Sequence, residues 1–399
     1  MRKSRLFVFR TLFTLTTASL LFTGCSSSRQ MAVPQPTPQP APQPILVPQL
    51  AIIANRDDNT VSTYSINAST GELRSSGSIA SGGNAPIALA VDSTGHFAYV
   101  ANLIALGGVG DSNGDIGGGG ISAFSINTDT GALTPAGSPV AAGQGPRTVI
   151  VHPSGKFLYG TSLLSDNIFA YTINPNTGAL TPIGSPVPTG TGPLSLTLDP
   201  PGKFAYVVNS DDNTISEFII DQNTGALTTS GKPVPVAGFD PTFMMVHASG
   251  KFAYLANTVS NTISVFAIDP MSGALTSLGD PVSSCGTFPT ALAEDPSGKF
   301  TYVSNVGTGD ICAYAVNSTT GALSPIGSPV PAGDGPASIN VDPSGKYLFA
   351  ANSQSANVSV FTIDPTAGTL TPVGTPTPTG KTPSSVATIG KLIAPPAPN

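Results

Sequence analysis

The sequence predicts an all-β chain folded as a seven-bladed β-propeller, with four antiparallel strands per blade and a composite blade made from the two termini. Three observations lead there: a long internal repeat, four short apolar runs inside each copy, and incomplete copies at the two ends that complement each other. Aligned copies begin at Pro86, Pro146, Pro193, Pro241, Pro289, Pro336 and Pro383. The period is 47 or 48 residues (193 to 241 is 48), after a first interval of 60 that carries a Gly-rich insert from Gly107 to Gly120.

Within the copy that starts at Pro241, the first run is TFMMV and the second is FAYLAN, separated by His247-Ala248-Ser249-Gly250. The third run is ISVFAI, and the fourth is ALTSLG after Met271-Ser272-Gly273. Short β-branched and aromatic runs bounded by Gly, Pro, Asn, Asp and Ser are strands. The first turn is most often Asp-Pro-Ser-Gly, as at Asp295 to Gly298 and Asp342 to Gly345, where Asp caps, Pro presets φ and Gly closes. The second is Thr-Gly-Ala-Leu, at Thr130, Thr177, Thr224 and Thr320. Past the leader, no segment has helical periodicity or a capping box.

Leu50 to Ala85 contains runs two to four but lacks run one, whereas Ser384 to Ile389 is run one alone. Joined, they make one blade, which closes the ring and removes its open edges. An open β-solenoid would give the termini no reason to be complementary. The expected organisation is a leader over residues 1–24, a lipidated cysteine and tether over 25–49, the propeller over 50–394 and a tail over 395–399.

The leader has a basic segment (Arg2, Lys3, Arg5, Arg10), an apolar stretch from Thr11 to Phe22, and ends at Phe22-Thr23-Gly24-Cys25. It resembles the bacterial lipoprotein signal, which implies that Cys25 is lipidated and becomes the first mature residue; an ordinary cleaved secretory signal is the alternative. Ser26 after the cysteine implies outer-membrane sorting in a Gram-negative cell. The following Pro34 to Ile45, alternating Pro with Gln, Thr and Ala, favours extended polyproline II and reads as a spacer. The expected location is the cell envelope, outside the cytoplasm, with the membrane contacted through the lipid alone.

All four leader charges are basic, which leaves 16 − 4 = 12 Lys and Arg against 22 Asp and Glu and a net charge near −10. Such a chain has no basic face for nucleic acid. The lack of Trp removes the WD repeat and disfavours propellers that stack Trp on a quinone cofactor. Besides Cys25, Cys285 and Cys312 fall towards one rim of one blade, where they form either a disulfide or two free thiols.

Chemistry in such a ring is expected at the rim where each first strand begins. Charged residues there are Arg147, Asp240, Asp334 and Lys381, with Gln144 beside Arg147. They are the candidates for catalysis (Arg147, Asp240, Asp334) and binding (Lys381, Gln144), against the plainer reading of solvated loop charge. Asn55, Asn102, Asn209, Asn257, Asn305 and Asn352 end second strands, with Ser162 in the remaining copy. A sixfold set of amides is expected to satisfy local backbone. His96, His152 and His247 read as surface turn residues. In the insert, Asp111, Asn113 and Asp115 alternate oxygen ligands as calcium loops do, but Ile116 and Ser122 break the EF-hand pattern. Calcium is therefore a minority expectation beside a plain Gly loop, and no other cofactor is expected.

The recurring Pro-Ser-Gly-Lys-Phe-x-Tyr-Val-x-Asn, followed by Thr-Gly-Ala-Leu-x-Pro, resembles the lactonase-type seven-bladed propellers, the 6-phosphogluconolactonase-like and carboxymuconate-cyclase-like proteins. The resemblance runs from about residue 50 to 390. Enzymatic members carry Gly-Pro-Arg-His at an inner strand and Asn-Glu-Leu after a second strand; here the segments are Gly145-Pro146-Arg147-Thr148 and Thr161-Ser162-Leu163. The resemblance thus implies oxyanion stabilisation by Arg147, while the histidine and glutamate positions are Thr148 and Ser162. Two functions follow. One is a monomeric binding or scaffold module at the envelope that holds a glycan, peptide or other partner; the other is an extracytoplasmic lactone hydrolase.

Overall fold

The computed structural model describes residues 44–105 and 118–393. Cys25, Asp111, Asn113 and Asp115 lie outside them. The described chain is a ring of seven antiparallel sheets. Blades one to six have inner strands Gly83–Val91, Pro146–Val151, Pro193–Leu198, Pro241–Val246, Pro289–Glu294 and Pro336–Val341. Blade seven runs Pro383–Ile393, Ile45–Asn55, Thr60–Ile66, Leu73–Ala80 from axis to edge, joining the C-terminal strand to the N-terminal three. The pairing reaches from Asn55 opposite Pro383 to Ile45 opposite Ile393. Strand structure therefore starts at Ile45, five residues earlier than the expected tether boundary, because Leu392 and Ile393 continue the ladder that Leu46 and Ile45 need.

Outer strands depart from the single run expected. In blades one to four and six they split in two, as in Leu275–Ser277 and Val282–Ser283, both paired with Thr262–Ile268. Pro281 lies within the interruption. Proline donates nothing to a ladder and is tolerated at edges and breaks.

The second strands of blades two to six are buried along their whole length. Both faces are covered because seven apolar clusters each join two neighbouring blades. One holds Tyr254 and Ile263 of blade four against Leu292 and Val303 of blade five; another holds Ile52 and Ala54 of blade seven against Val100 and Phe124 of blade one. The core is thus a set of repeated interfaces.

A tyrosine in the second strand fastens each of five interfaces. The hydroxyls of Tyr99, Tyr159, Tyr206, Tyr254 and Tyr302 donate to the carbonyls of Gly178, Gly225, Gly273, Gly321 and Gly368, at 2.8–3.2 Å. Each acceptor is the glycine of the turn before the fourth strand of the next blade. That glycine is required twice. At Gly273 φ is +75°, and a Cβ would stand 2.4 Å from Cδ1 of Phe204 in the preceding blade.

The asparagines that end second strands are fully buried, and their amides donate to third-strand side chains, as Asn257 does to Ser264 Oγ at 2.9 Å. Their role is structural, as expected, but their shortest bonds go to third-strand side chains and not to the loop backbone. His152 and His247 differ from expectation: they are 2 % and 4 % exposed, not surface residues. Each imidazole lies against the next blade, with Nε2 2.8 Å from Gly202 O and 2.9 Å from Gly298 O. An aspartate at this turn bonds only within its own turn, as Asp295 does to Phe300 N–H, whereas the longer imidazole crosses to the neighbour. His96 is exposed, as expected.

Gly273→Ala is expected to cost about 3 kcal/mol or more, combining left-handed strain with a clash against Phe204. Gly279→Ala, at φ +91° with nothing within 4 Å, carries strain alone, about 1–2 kcal/mol. Thermal melts should rank them in that order.

Candidate functional site

Every inner strand carries an irregularity at the residue that follows its proline. In blade two the register passes from Pro146 opposite Ser162 to Thr148 opposite Thr161, which leaves Arg147 unpaired. The same shift recurs in the other six blades. A bulge re-aims its extra side chain. Here the seven extra residues, Ile87, Arg147, Leu194, Thr242, Thr290, Ala337 and Ser384, all line one axial cavity of about 810 Å³. The residue preceding each proline takes positive φ, 50–69°, which turns the chain sharply into the strand. Asx side chains of the preceding blade hold several of these turns: Asn59 accepts from Ala85 N–H (2.7 Å) and Asn261 from Phe288 N–H (2.7 Å).

Arg147 is the one charged member of this ring of seven. Arg56, just after the second strand of blade seven, lines the same cavity. Among the described residues, neither guanidinium has an ion-pair or hydrogen-bond partner. Burial holds Arg147 below the usual guanidinium value, and the charge of Arg56 adds to the effect. Two cations lining one mouth, neither ion-paired among the described residues, give it a positive potential. Hydroxyls share the rest of the mouth with Ile87, Leu194 and Ala337, and several are engaged: Thr148 Oγ1 donates to Leu194 O (2.8 Å), and Thr258 Oγ1, beside Thr242, donates to Pro289 O (2.8 Å).

Arg147 alone of the residues expected at the site reaches this cavity. Asp240 is half-buried with its Oδ1 accepting from Ser210 Oγ at 2.6 Å, a bond between neighbouring blades. Asp334 and Lys381 are exposed on the rim, outside the lining. The Lys381 N–H is bound to Asp58 Oδ2 at 2.7 Å. Gln144 is half-buried beside Arg147, and its carbonyl accepts from Ser162 Oγ at 2.8 Å. Arg56 had no signal in the sequence beyond its place after Asn55; the ring closure that carries it to the mouth is what gives it meaning.

Glu294, the last residue of the inner strand of blade five, is the single carboxylate among the described residues that line the cavity. Burial pushes its carboxyl up to about 7, against the lowering effect of the Ala248 N–H; the charge of Asp295 adds to the rise. It lies four positions beyond Thr290, one of the bulged residues of the Arg147 ring, roughly 13 Å along a strand. It cannot share a reacting bond with Arg147.

Cys285 and Cys312 are joined as a disulfide, with Cα atoms 6.4 Å apart. It ties the loop leading into blade five to the third strand of that blade. Among the described residues, no group of three His, Cys, Asp or Glu side chains is arranged to hold a metal ion.

A closed ring of seven four-stranded blades around one axial cavity defines the class of protein. The chain belongs to the lactonase seven-bladed β-propeller family, whose model matches residues 49–104, 112–193, 148–241 and 195–388. Solved structures with the same fold include a putative 6-phosphogluconolactonase from Bacteroides uniformis, at TM-score 0.75 and 22 % identity over 86 % of this chain and 99 % of that one. The periplasmic gluconolactonase PpgL of Pseudomonas aeruginosa superposes at TM-score 0.73 with 19 % identity, covering 88 % of this chain and 100 % of its own. A protein from Lactobacillus plantarum gives TM-score 0.72 and 21 % identity over 86 % and 99 %. No curated protein sequence matches the chain.

Reduction should destabilise the ring. Residues 285 and 312 are 27 apart, so removing the crosslink costs about 3.5 kcal/mol by the chain-entropy argument. Melting of the Cys285→Ser/Cys312→Ser variant against the oxidised protein measures it.

Proposed function

We propose that the protein is a lactone hydrolase held at the outside of the cytoplasmic compartment through lipid on Cys25, and that it works at the mouth of the axial cavity. The observation that carries this reading is the unpartnered Arg147 guanidinium, set by its bulge into the cavity with Arg56 beside it. Nucleophilic attack on a lactone carbonyl converts the carbonyl oxygen into an alkoxide. A cation in a half-buried mouth favours that developing charge more than the neutral ester. Arg56 supplies a second positive group, suited to a carboxylate on the substrate or to sharing the oxyanion. Family membership and the lactonases among proteins of the same fold support the reaction class.

Among the described residues, the mouth half of the cavity has no carboxylate or imidazole to take a proton from water. Hydroxide is then the nucleophile, and kcat/KM should rise about tenfold per pH unit without the plateau that a titrating base would give. Phosphorylated sugar lactones are poor candidates, since they are cytoplasmic metabolites and two cations are few for a dianion. The lack of a base at the mouth also favours a second reading, in which the ring binds a lactone, glycan or peptide without turning it over.

Arg147→Ala should lower kcat/KM for a γ- or δ-lactone by about a hundredfold while leaving the melting temperature in place. A pH-stat assay of the purified mature protein on a lactone panel, δ-gluconolactone included, measures this. Full activity in the variant would remove Arg147 from the reaction; no turnover of any lactone would leave the binding module.

A further inference from the structure

The ring contains its own control for one buried couple. His152 and His247 open equivalent turns in blades two and four. Ser154 and Ser249 donate backbone N–H to the two Nδ1 atoms at 3.1 and 3.0 Å, so both rings carry their proton on Nε2. Both Nε2 atoms face a glycine carbonyl of the next blade, Gly202 or Gly298. Both rings pack edge-on to a phenylalanine, Phe157 or Phe252. The difference lies in the last inner-strand residue of the next blade. Beside His152 it is Leu198; beside His247 it is Glu294, whose Oε1 stands 3.1 Å from Nε2 and whose Oε2 accepts from Ala248 N–H at 2.7 Å.

We propose that His247 and Glu294 form a proton-operated latch between blades four and five, in which the imidazole Nε2–H changes acceptor. With Glu294 neutral, that N–H is held by Gly298 O, as its counterpart is held by Gly202 O. When Glu294 ionises, its proton passes to water in the cavity it lines. Oε1 then becomes a charged acceptor 3.1 Å away and draws the Nε2–H from Gly298. The turn from Asp295 to Gly298 loses one of its ties to blade four, and the cavity wall gains a negative charge.

The neighbouring elements add little competing charge. The inner strands Pro241–Val246 and Pro336–Val341 contain no titratable side chain. The first turns of blades four, five and six contribute His247 with Lys251, Asp295 with Lys299, and Asp342 with Lys346; second strands bring Tyr254 and Tyr302. Tyr254 and Tyr302 keep their protons, both raised by burial, and of the carboxylates Asp295 alone adds to the rise at Glu294.

The sign is fixed by the folded carboxyl binding its proton more tightly than the unfolded one. Stability from this group is complete below about 4.5, and is lost as pH rises through about 7. Over that window the folding equilibrium constant should fall on the order of a hundredfold more in the native protein than in Glu294→Gln.

The protein has three histidines, so selective ¹⁵N-His labelling of the full chain gives three imidazoles to follow. The His247 Nε2–H resonance should move through a step near neutral pH that disappears in Glu294→Gln and in Glu294→Leu, while His152 keeps one Nε2–H environment throughout. Parallel behaviour of His152 and His247 in the native protein would overturn the proposal even if neither variant folds. So would a His247 step that persists without the carboxylate.

Discussion

A four-stranded sheet with apolar residues on both faces cannot be buried by its own chain, so each blade here depends on contact with two neighbours. Seven interfaces satisfy seven blades only if the last meets the first. That closure rests on the ladder between Ile45–Asn55 and Pro383–Ile393, which supplies blade seven with the inner strand its N-terminal segment lacks. The ladder also decides where the site is. It carries Arg56 and Ser384 to the axis, one from each end of the sequence, to stand with residues from the middle of the chain.

Once the ring is closed, the bulge at the start of each inner strand does the positional work. It recurs in all seven blades, so the backbone offers seven equivalent inward-directed positions. Side-chain identity then breaks the symmetry. Small, hydroxyl and aliphatic residues occupy six of them, and a guanidinium occupies one. A symmetric frame with one charged position creates a directed field at little structural cost, because the bulge exists whether or not Arg147 fills it. The positive-φ residue before each proline belongs to the same device. Glycine takes it in three blades, and the strain of Ala85, Asp240, Phe288 and Thr382 there is offset by bonds from neighbouring loops, of which the Asn59 and Asn261 contacts are examples.

The repeat made the fold legible from sequence: the period, the two turn signatures and the complementary ends led to seven blades and to the closing pair. Turn chemistry is local, so Asp-Pro-Ser-Gly and Thr-Gly-Ala-Leu could be read residue by residue. What was not legible depends on neighbours distant in sequence. His152 and His247 looked like surface residues because their turn is hydrophilic, yet the next blade covers them. Asp240 looked like a rim acid, but its carboxylate is committed to Ser210. Arg56 became interesting only when blade seven was assembled around it. The same holds for Ile45 to Gln49, whose Pro-containing sequence suggests a spacer until Leu392 and Ile393 are found opposite.

A repeated interface is also a way to tell adaptation from architecture. Whatever all seven copies share, such as the strand bulge or the turn glycines, or nearly all share, such as the six buried asparagines, is accounted for by building the ring. A feature found once needs another cause. Arg147 is one such departure, and Glu294 is another, since the hydrophobic residue beside His152 shows that the histidine turn is complete without an acid. Placing a carboxylate in a mostly apolar joint costs desolvation that Leu198 avoids, and the rise of Glu294 to about 7 is the visible sign of that cost. Both departures face the same cavity, at opposite ends. That shared destination links the two sites physically, because the charge state at one end contributes to the field at the other.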